Sequence, residues 1–160
     1  RESRHARCLH SLTEAEVLSG QAFDDAAAYG SYRVDIHHDE GITFRYLDGK
    51  QEIMRVDRAT GAIAWERGRW RPEVGESPTF YQIPYRCLVP RGADNVLCAG
   101  RMLDCDRGAY GACRVMVNCN QMGEAAGVAA ARCVAEGAPI ETAWRGLANE
   151  TLPEIDYWQE

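Results

Sequence analysis

Glycine and arginine residues between positions 94 and 131 could form a binding surface for a polar ring or an anion. A short apolar run ends at Ala99-Gly100-Arg101, and a helix rich in alanine and glycine is predicted to begin near Asn118. The unpaired N–H groups and the dipole of a helix N-terminus favour negative charge. A glycine turn beside such a helix start therefore suits an anionic or polar ring edge.

Cysteine is the second residue type whose side chain could carry chemistry. The chain has seven cysteines, an odd number, and none forms a Cys-x-x-Cys pair. This spacing disfavours a zinc ribbon, a thioredoxin-type motif, a disulfide framework and a free-standing thiol or metal protein. The cysteines are Cys8, Cys87, Cys98, Cys105, Cys113, Cys119 and Cys133. Cys98 and Cys133 lie in apolar surroundings, so we expect them to be buried thiols, and we expect a reducing cytoplasm.

The run His37-His38-Asp39-Glu40 contains potential metal ligands. Adjacent residues seldom point at one ion, so a solvated loop is the favoured interpretation. No metal site is predicted.

Composition sets the class of protein. The 160 residues suffice for one domain with a modest core. A net charge of −6 makes nucleic-acid binding unexpected. No apolar run approaches the ~20 residues of a membrane span, so no membrane role is expected. The chain opens on Arg1-Glu2-Ser3-Arg4 without an initiator methionine, and we expect a fragment, a processed chain or one domain of a longer protein.

The first half of the chain is predicted to be rich in strands. Thr13 and Glu16 have capping-box spacing and begin a short helix that Gly20 ends. A second helical segment is predicted over residues 23–29. Strands are predicted over 31–37, 43–47, 53–56, 62–65 and 79–89, with an edge or a bulge at Pro84 and a hairpin turn at 57–61 in which Gly61 takes positive φ.

The second half is predicted to contain a buried strand over 95–99, a polar loop, a long helix over 118–136 and a last short helix over 140–149. Gly123, Ala126, Gly127 and Ala130 would form a smooth face able to approach a sheet or a ligand. We therefore predict an α+β fold with a β-rich region over 1–92 and a strand–helix region over 93–160. A Gly-x-Gly-x-x-Gly unit is missing, so the dinucleotide-binding fold would be incomplete.

Seven short motifs occur in an order that resembles the C-terminal half of the FAD-dependent oxidoreductases with an Arg-Glu-Ser-Arg motif, which are distantly similar to succinate dehydrogenase and fumarate reductase flavoproteins. The resemblance covers residues 1–137, apart from an insertion around 48–78. The motifs are Arg1–Arg4, Leu12-Thr-Glu with Val17-Leu18, Gly30–His37, Ile83–Pro90, Asn95–Arg101, Gly111–Met116 and Gly123–Gly127.

The resemblance implies that this chain supplies one wall of an FAD site. Gly100 would let the backbone approach the ribityl chain, and Arg101 stands where the related flavoproteins usually have glutamate. Arg101 would reach ribityl or phosphate oxygens, or it would be a surface residue. The long helix would meet the flavin ring through Met116, Asn118, Cys119, Asn120, Gln121 and Gly123, mostly through backbone N–H groups. Cys119 could alternatively act as a nucleophile, with its thiolate favoured at a helix start.

The same resemblance implies catalytic roles. Arg114 would bind the carboxylate of a small substrate and stabilise developing charge. Tyr110 stands where those flavoproteins have histidine, and it would donate a proton or pack. Arg4 would face the active site or pair with acids.

Two functional hypotheses follow from the resemblance. In the first, the chain is part of an oxidoreductase that transfers a hydride from a small organic substrate to FAD and is completed by an N-terminal FAD-binding half. In the second, it is a non-catalytic binding or assembly domain that has lost FAD. Exposed apolar surface would favour association with the missing half or a homodimer.

Overall fold

The computed structural model describes residues 6–145 and has the predicted α+β architecture. Short 3-10 helices cover Tyr85–Leu88, Gly100–Met102 and Ile140–Thr142. The helices and strands are α1 (Glu14–Ser19), β1 (Ala26–Gly30), β2 (Val34–His38), β3 (Gly41–Arg45), β4 (Lys50–Val56), β5 (Ile63–Arg69), β6 (Tyr81–Pro84), α2 (Arg107–Cys113) and α3 (Met116–Glu136).

Four strands form an antiparallel meander in the order β2-β3-β4-β5. The predicted hairpin joins β4 to β5, with Val56 opposite Ile63. Its turn is closed by Asp57, whose Oδ1 accepts from the backbone N–H groups of Ala59 and Thr60. Gly61 has φ 72°, as the turn requires.

The predicted helix over 23–29 is wrong, because the segment contains strand β1, which pairs antiparallel with β6. Three alanines favour a helix locally, but tertiary packing outweighs that preference. Gly30 lies so close to the ring of Tyr81 that a Cβ would sit 2.5 Å from it. The side-chain amide of Gln121 on α3 also bonds both the N–H and the carbonyl of Tyr29.

The predicted strand over 79–89 is shorter than expected. Strand β6 ends at Pro84, and its pairing with β1 shifts register between Ala26 and Ala28, so the extra residue lies in β1 opposite Pro84 and not within β6. The chain then turns because the buried carboxylate of Asp25 accepts the backbone N–H, Nε and Nη2 of Arg86. These bonds satisfy a carboxylate that is 1% exposed.

Part of the loop predicted before Arg114 is the helix α2, and this prediction is corrected. Asp106 caps α2 by accepting the N–H of Ala109 at 2.8 Å. Gly111 lets β2 cross α2 closely, since a Cβ there would sit 2.4 Å from the carbonyl oxygen of Asp35. Glycine lowers helix propensity, which is why the sequence pattern conceals this helix.

The long predicted helix is confirmed as α3, although it begins two residues earlier than expected. It buries Asn118, Met122, Ala125 and Ala129 against the core. The small-residue face at Gly123, Gly127 and Ala130 points outward and is exposed. Within the described chain, a Cβ added at Gly123 or Gly127 would touch nothing within 4 Å.

The predicted buried strand over 95–99 is wrong. The segment is irregular, and Val96 is 45% exposed. The N–H of Cys98 donates to the carbonyl of Leu88, but no strand of the described chain pairs with the segment. A strand needs a neighbouring ladder to satisfy its backbone, and here none is provided.

The core joins both halves of the chain. Leu12, Tyr81 and Leu88 pack in one cluster with Leu103 and Met122. The predicted boundary near residue 92 stays a prediction. The last predicted helix begins as the 3-10 helix Ile140–Thr142, and its part beyond residue 145 lies outside the described residues. Over residues 6–145, no helix combines the length and apolar character needed to cross a membrane.

Candidate functional site

The turn at Gly100 lies against the first turns of α3. Gly100 has φ 69°, a left-handed conformation that glycine adopts without the strain a side chain would cause. A Cβ there would make its nearest contact with Cys119 on α3, at 3.9 Å. The fold therefore brings together the glycine turn and the helix start that the sequence placed in one site.

The N-terminus of α3 has no side-chain cap. Its N-cap residue is Val115, which has no oxygen to offer the first N–H groups. The N–H of Cys119 already donates to the carbonyl of Val115, so the groups left for a ligand are those just before it. Met116 and Val117 beside them are 81% and 58% exposed.

The predicted ring-binding residues divide between two faces of α3. Met116, Asn120 and Gly123 lie on the exposed face. Asn118 faces the core, where its Nδ2 donates to the Tyr81 hydroxyl at 2.9 Å, and Gln121 bonds strand β1. The side chains of Asn118 and Gln121 therefore support the fold.

Cys119 lies where the Gly100 turn meets α3. Burial raises the pKa of its thiol, and the charge of Arg101 opposes this only in part. Its Sγ lies 3.6 Å from the carbonyl oxygen of Arg114. A raised pKa disfavours the thiolate, and the alternative nucleophilic role of Cys119 stays a prediction.

Arg114 lies at the junction between α2 and α3. It is the C-cap of α2, and its Nη2 donates to Oδ1 of Asp35 on β2. The guanidinium carbon lies 5.9 Å from the ring centroid of Tyr110. Tyr110 is half-buried and packs against the core. Within residues 6–145 the Arg114 side chain makes this one hydrogen bond, which leaves Nε and Nη1 for a ligand.

The structure adds residues that the sequence interpretation missed. Asp35 binds Arg114, and its Oδ1 lies 3.6 Å from Nε2 of His37. The Tyr32 hydroxyl donates to Oδ2 of Asp35 at 3.4 Å. The signal was present, because Asp35 and His37 are two apart in a predicted strand and so share one face. Arg4 lies outside the described residues.

A cavity of about 750 Å³ lies elsewhere, between α1 and the loop after β5. Two of its carboxylates are already engaged: Glu14 pairs with Arg45, and Asp106 caps α2. None of its lining residues belongs to the predicted site. No group of three or more histidine, cysteine or acidic residues suited to a metal ion occurs within residues 6–145.

An open surface with a glycine turn, an uncapped helix start and an arginine is typical of proteins that bind the polar edge of a large cofactor. The model of the family described as FAD dependent oxidoreductase matches residues 1–147, and the chain belongs to that family. Comparisons with curated proteins and with solved structures found no match.

The described residues fit one side of the FAD that the family implies. At Gly100 the missing Cβ leaves room for close approach, and Arg101 supplies a cation beside Cys119. The N–H groups at the start of α3 can donate to carbonyl or nitrogen acceptors of a ring. These hydrogen-bond donors and the Gly100 turn would cover one side of the cofactor.

Proposed function

We propose that this chain is the C-terminal part of an FAD-dependent oxidoreductase that takes a hydride from a small organic substrate. The observation that supports this most strongly is the contact between the left-handed turn at Gly100 and the uncapped start of α3. A backbone with that shape accepts a cofactor edge without a side-chain clash and offers N–H donors to it.

Each predicted residue has a part in this proposal. Gly100 and Arg101 contact the ribityl chain, and Met116, Asn120 and Gly123 face the ring from the exposed side of α3. Asn118, Cys119 and Gln121 hold the helix in place, and the N–H of Asn118 contributes to the donor set. When bound, FAD supplies the acceptor for the hydride.

Arg114 is the proposed substrate-binding residue. Asp35 accepts from one nitrogen of its guanidinium, which restricts the position of the group before a ligand arrives. Nε, Nη1 and the second hydrogen of Nη2 remain, and a substrate carboxylate would accept two parallel hydrogen bonds from two neighbouring nitrogens, one of them Nη2. Arg4 keeps its proposed role facing the active site, and Tyr110 either donates a proton or packs beside the Arg114 guanidinium.

An N-terminal FAD-binding half is the proposed partner. The exposed face of α3 carries Met116 and Val134, which are 81% and 89% exposed, together with the glycines at 123 and 127. Exposed apolar surface of this kind favours association, and a homodimer would cover it in the absence of that half. We place the protein in the cytoplasm, since all seven cysteines are free.

Producing the chain together with the segment encoded upstream of it tests the cofactor role. We expect a yellow complex that keeps its flavin through gel filtration, whereas calorimetry on this chain alone should give weak FAD binding or none. Arg101→Gln should weaken FAD binding by about tenfold or more, because a hydrogen bond to a charged group contributes about 1.5–3 kcal/mol. Arg67→Gln on the exposed strand β5 is the matched control.

The outcomes separate the two hypotheses. A colourless complex would contradict the cofactor role and favour a binding or assembly domain that has lost FAD. Tight FAD binding by this chain alone would contradict the half-site proposal.

A further inference from the structure

Three side chains converge on the carboxylate of Asp35. Arg114 Nη2 and His37 Nε2 both approach Oδ1, and the Tyr32 hydroxyl donates to Oδ2. The Asp35 side chain is 13% exposed, whereas that of His37 is 45% exposed. A shielded carboxylate therefore stands behind an accessible imidazole and beside a guanidinium.

The backbone holds this arrangement from two directions. Asp35 and His37 lie on one face of β2, and Gly111 lets α2 press against that strand. Arg107, at the opposite end of α2 from Arg114, donates through Nη2 to the carbonyl of His37. Strand β2 is thus held against α2 at Asp35 and at His37.

The arrangement has the chemistry of a proton acceptor. A carboxylate next to one imidazole nitrogen selects the tautomer with the proton on that nitrogen and stabilises the imidazolium that forms. With Nε2 facing Asp35, Nδ1 is the basic nitrogen, and it has no hydrogen-bond partner within residues 6–145. The separation of 3.6 Å is longer than a hydrogen bond, as is common in catalytic sites without substrate.

We propose that His37, oriented by Asp35, accepts the hydroxyl proton of a small hydroxycarboxylate whose carboxylate binds Arg114. The inference rests on the proposed function, because it specifies the substrate class of the same site. His37 and Arg114 approach the same oxygen of Asp35, and the proposed substrate would bridge the two side chains.

The step balances with groups already named. The substrate O–H bond breaks and its proton goes to Nδ1 of His37. The electron pair of the carbon–hydrogen bond would leave as a hydride, for which the flavin of the proposed function, when bound, would supply the two-electron acceptor. The substrate carbon–oxygen bond becomes a carbonyl, and Asp35 stabilises the positive charge on His37 while Arg114 retains the carboxylate.

Nuclear magnetic resonance of the full 160-residue chain, isotope-labelled at histidine and arginine, tests this with two probes. Glycolate has the carboxylate and the hydroxyl, whereas methoxyacetate has the hydroxyl blocked. We expect glycolate to shift the His37 and Arg114 side-chain signals saturably and to bind roughly fivefold more tightly, the value of one hydrogen bond of about 1 kcal/mol. Long-range spectra should show the His37 proton on Nε2 in the glycolate complex.

Variants separate the contribution of His37 to hydroxyl binding from that of Arg114 to carboxylate binding. His37→Ala should reduce the preference for glycolate to about onefold while carboxylate binding remains. Arg114→Gln should abolish binding of both probes. His38→Ala is the matched control, since His38 lies on the opposite face of β2 and contacts Thr43 Oγ1 at 3.1 Å; its preference should equal that of the unmodified chain.

Three results would overturn the inference: no shift of His37 with glycolate, an unchanged preference in His37→Ala, or the proton on Nδ1 in the complex. None of them depends on flavin. A colourless complex together with the expected probe binding would refute the cofactor role but support the site for the carboxylate and the hydroxyl. A yellow complex without probe binding would support the cofactor role and refute this substrate site.

Discussion

At the scale of single residues, Asp35 explains how distant parts of the chain meet. It lies on β2, yet its carboxylate holds Arg114 at the end of α2. Its backbone carbonyl lies directly over Gly111 in the same helix. Side-chain charge and backbone packing therefore act at one crossing, and a change at either partner should disturb the other.

Gly111→Ala should lower the free energy of unfolding by about 1–3 kcal/mol, the usual cost of overpacking a buried contact. The added Cβ would sit 2.4 Å from a backbone oxygen of Asp35, so β2 or α2 must move. Urea denaturation measures the change. The matched control is Gly123→Ala, which meets nothing within 4 Å and should stabilise α3 by about 0.5–1 kcal/mol. Equal stability of the two variants would refute the close approach.

At the scale of elements, α1 is positioned by its own N-terminus and by its neighbours. The Thr13 hydroxyl accepts from the N–H of Glu16, and the Glu16 carboxylate accepts from the N–H and hydroxyl of Thr13. His10 also lies 3.1 Å from Glu16. Burial opposes ionisation of Glu16, but the bonds from Thr13 and the contact with His10 outweigh it and lower the pKa of the carboxyl.

The lowered pKa of Glu16 predicts an acid-sensitive helix. A depressed folded-state pKa contributes stability above the ordinary value of 4.5, and this contribution is lost as the pH falls through the lowered value. Glu16→Gln keeps a hydrogen bond but has no charge. In urea denaturation, the free energy of unfolding of the unmodified chain should therefore exceed that of Glu16→Gln near neutral pH by no more than about 1 kcal/mol. The difference should shrink as the pH falls below 4.5.

The control for this pH effect is Glu124→Gln, an exposed position on α3. Its difference from the unmodified chain should vary less with pH than that of Glu16→Gln. A difference at Glu16 that grows on acidification would contradict the assignment.

At the scale of the whole molecule, the pKa and the exposure of the cysteine thiols indicate how well the core excludes solvent. Burial raises the pKa of Cys8 and of Cys105 to about 12. Burial also raises the pKa of Cys87 and Cys113. Cys98 and Cys133 are only half-buried.

Alkylation with iodoacetamide near pH 8, followed by mass spectrometry, should separate these groups. Cys98 and Cys133, which the sequence predicts to be buried but which are half-buried, should react first. The four thiols with a raised pKa named above should react at least about a hundredfold more slowly, because the thiolate is the reactive form. In denaturant all seven should react alike. Rapid native labelling of Cys87 or Cys113 would show that the core opens easily.

Local signals in the sequence were sufficient for several elements. The capping box at Thr13 and Glu16, the hairpin turn ending at Gly61 and the long helix ending at Gly137 all depend on contacts within a few residues. The motifs in the sequence also identified the family. They assigned Gly100 and the start of α3 to one proposed site, and the two lie in contact. The proposed roles of these residues remain predictions.

Other features were decided by contacts far apart in the chain. Residues 26–30 form a strand because β6 and Gln121 satisfy their backbone, although three alanines alone favour a helix. Residues 95–99 form no strand because the described chain offers no neighbouring ladder.

The sequence by itself determined the family, the α+β class and the elements whose caps and turns are local. The tertiary structure decided that His37 and Arg114 both approach the same carboxylate oxygen of Asp35. It also decided that the small-residue face of α3 points outward. The physical reason is range. Caps and turns are set by hydrogen bonds between near neighbours, whereas a charge cluster 79 residues apart in sequence exists only once β2 has packed across α2.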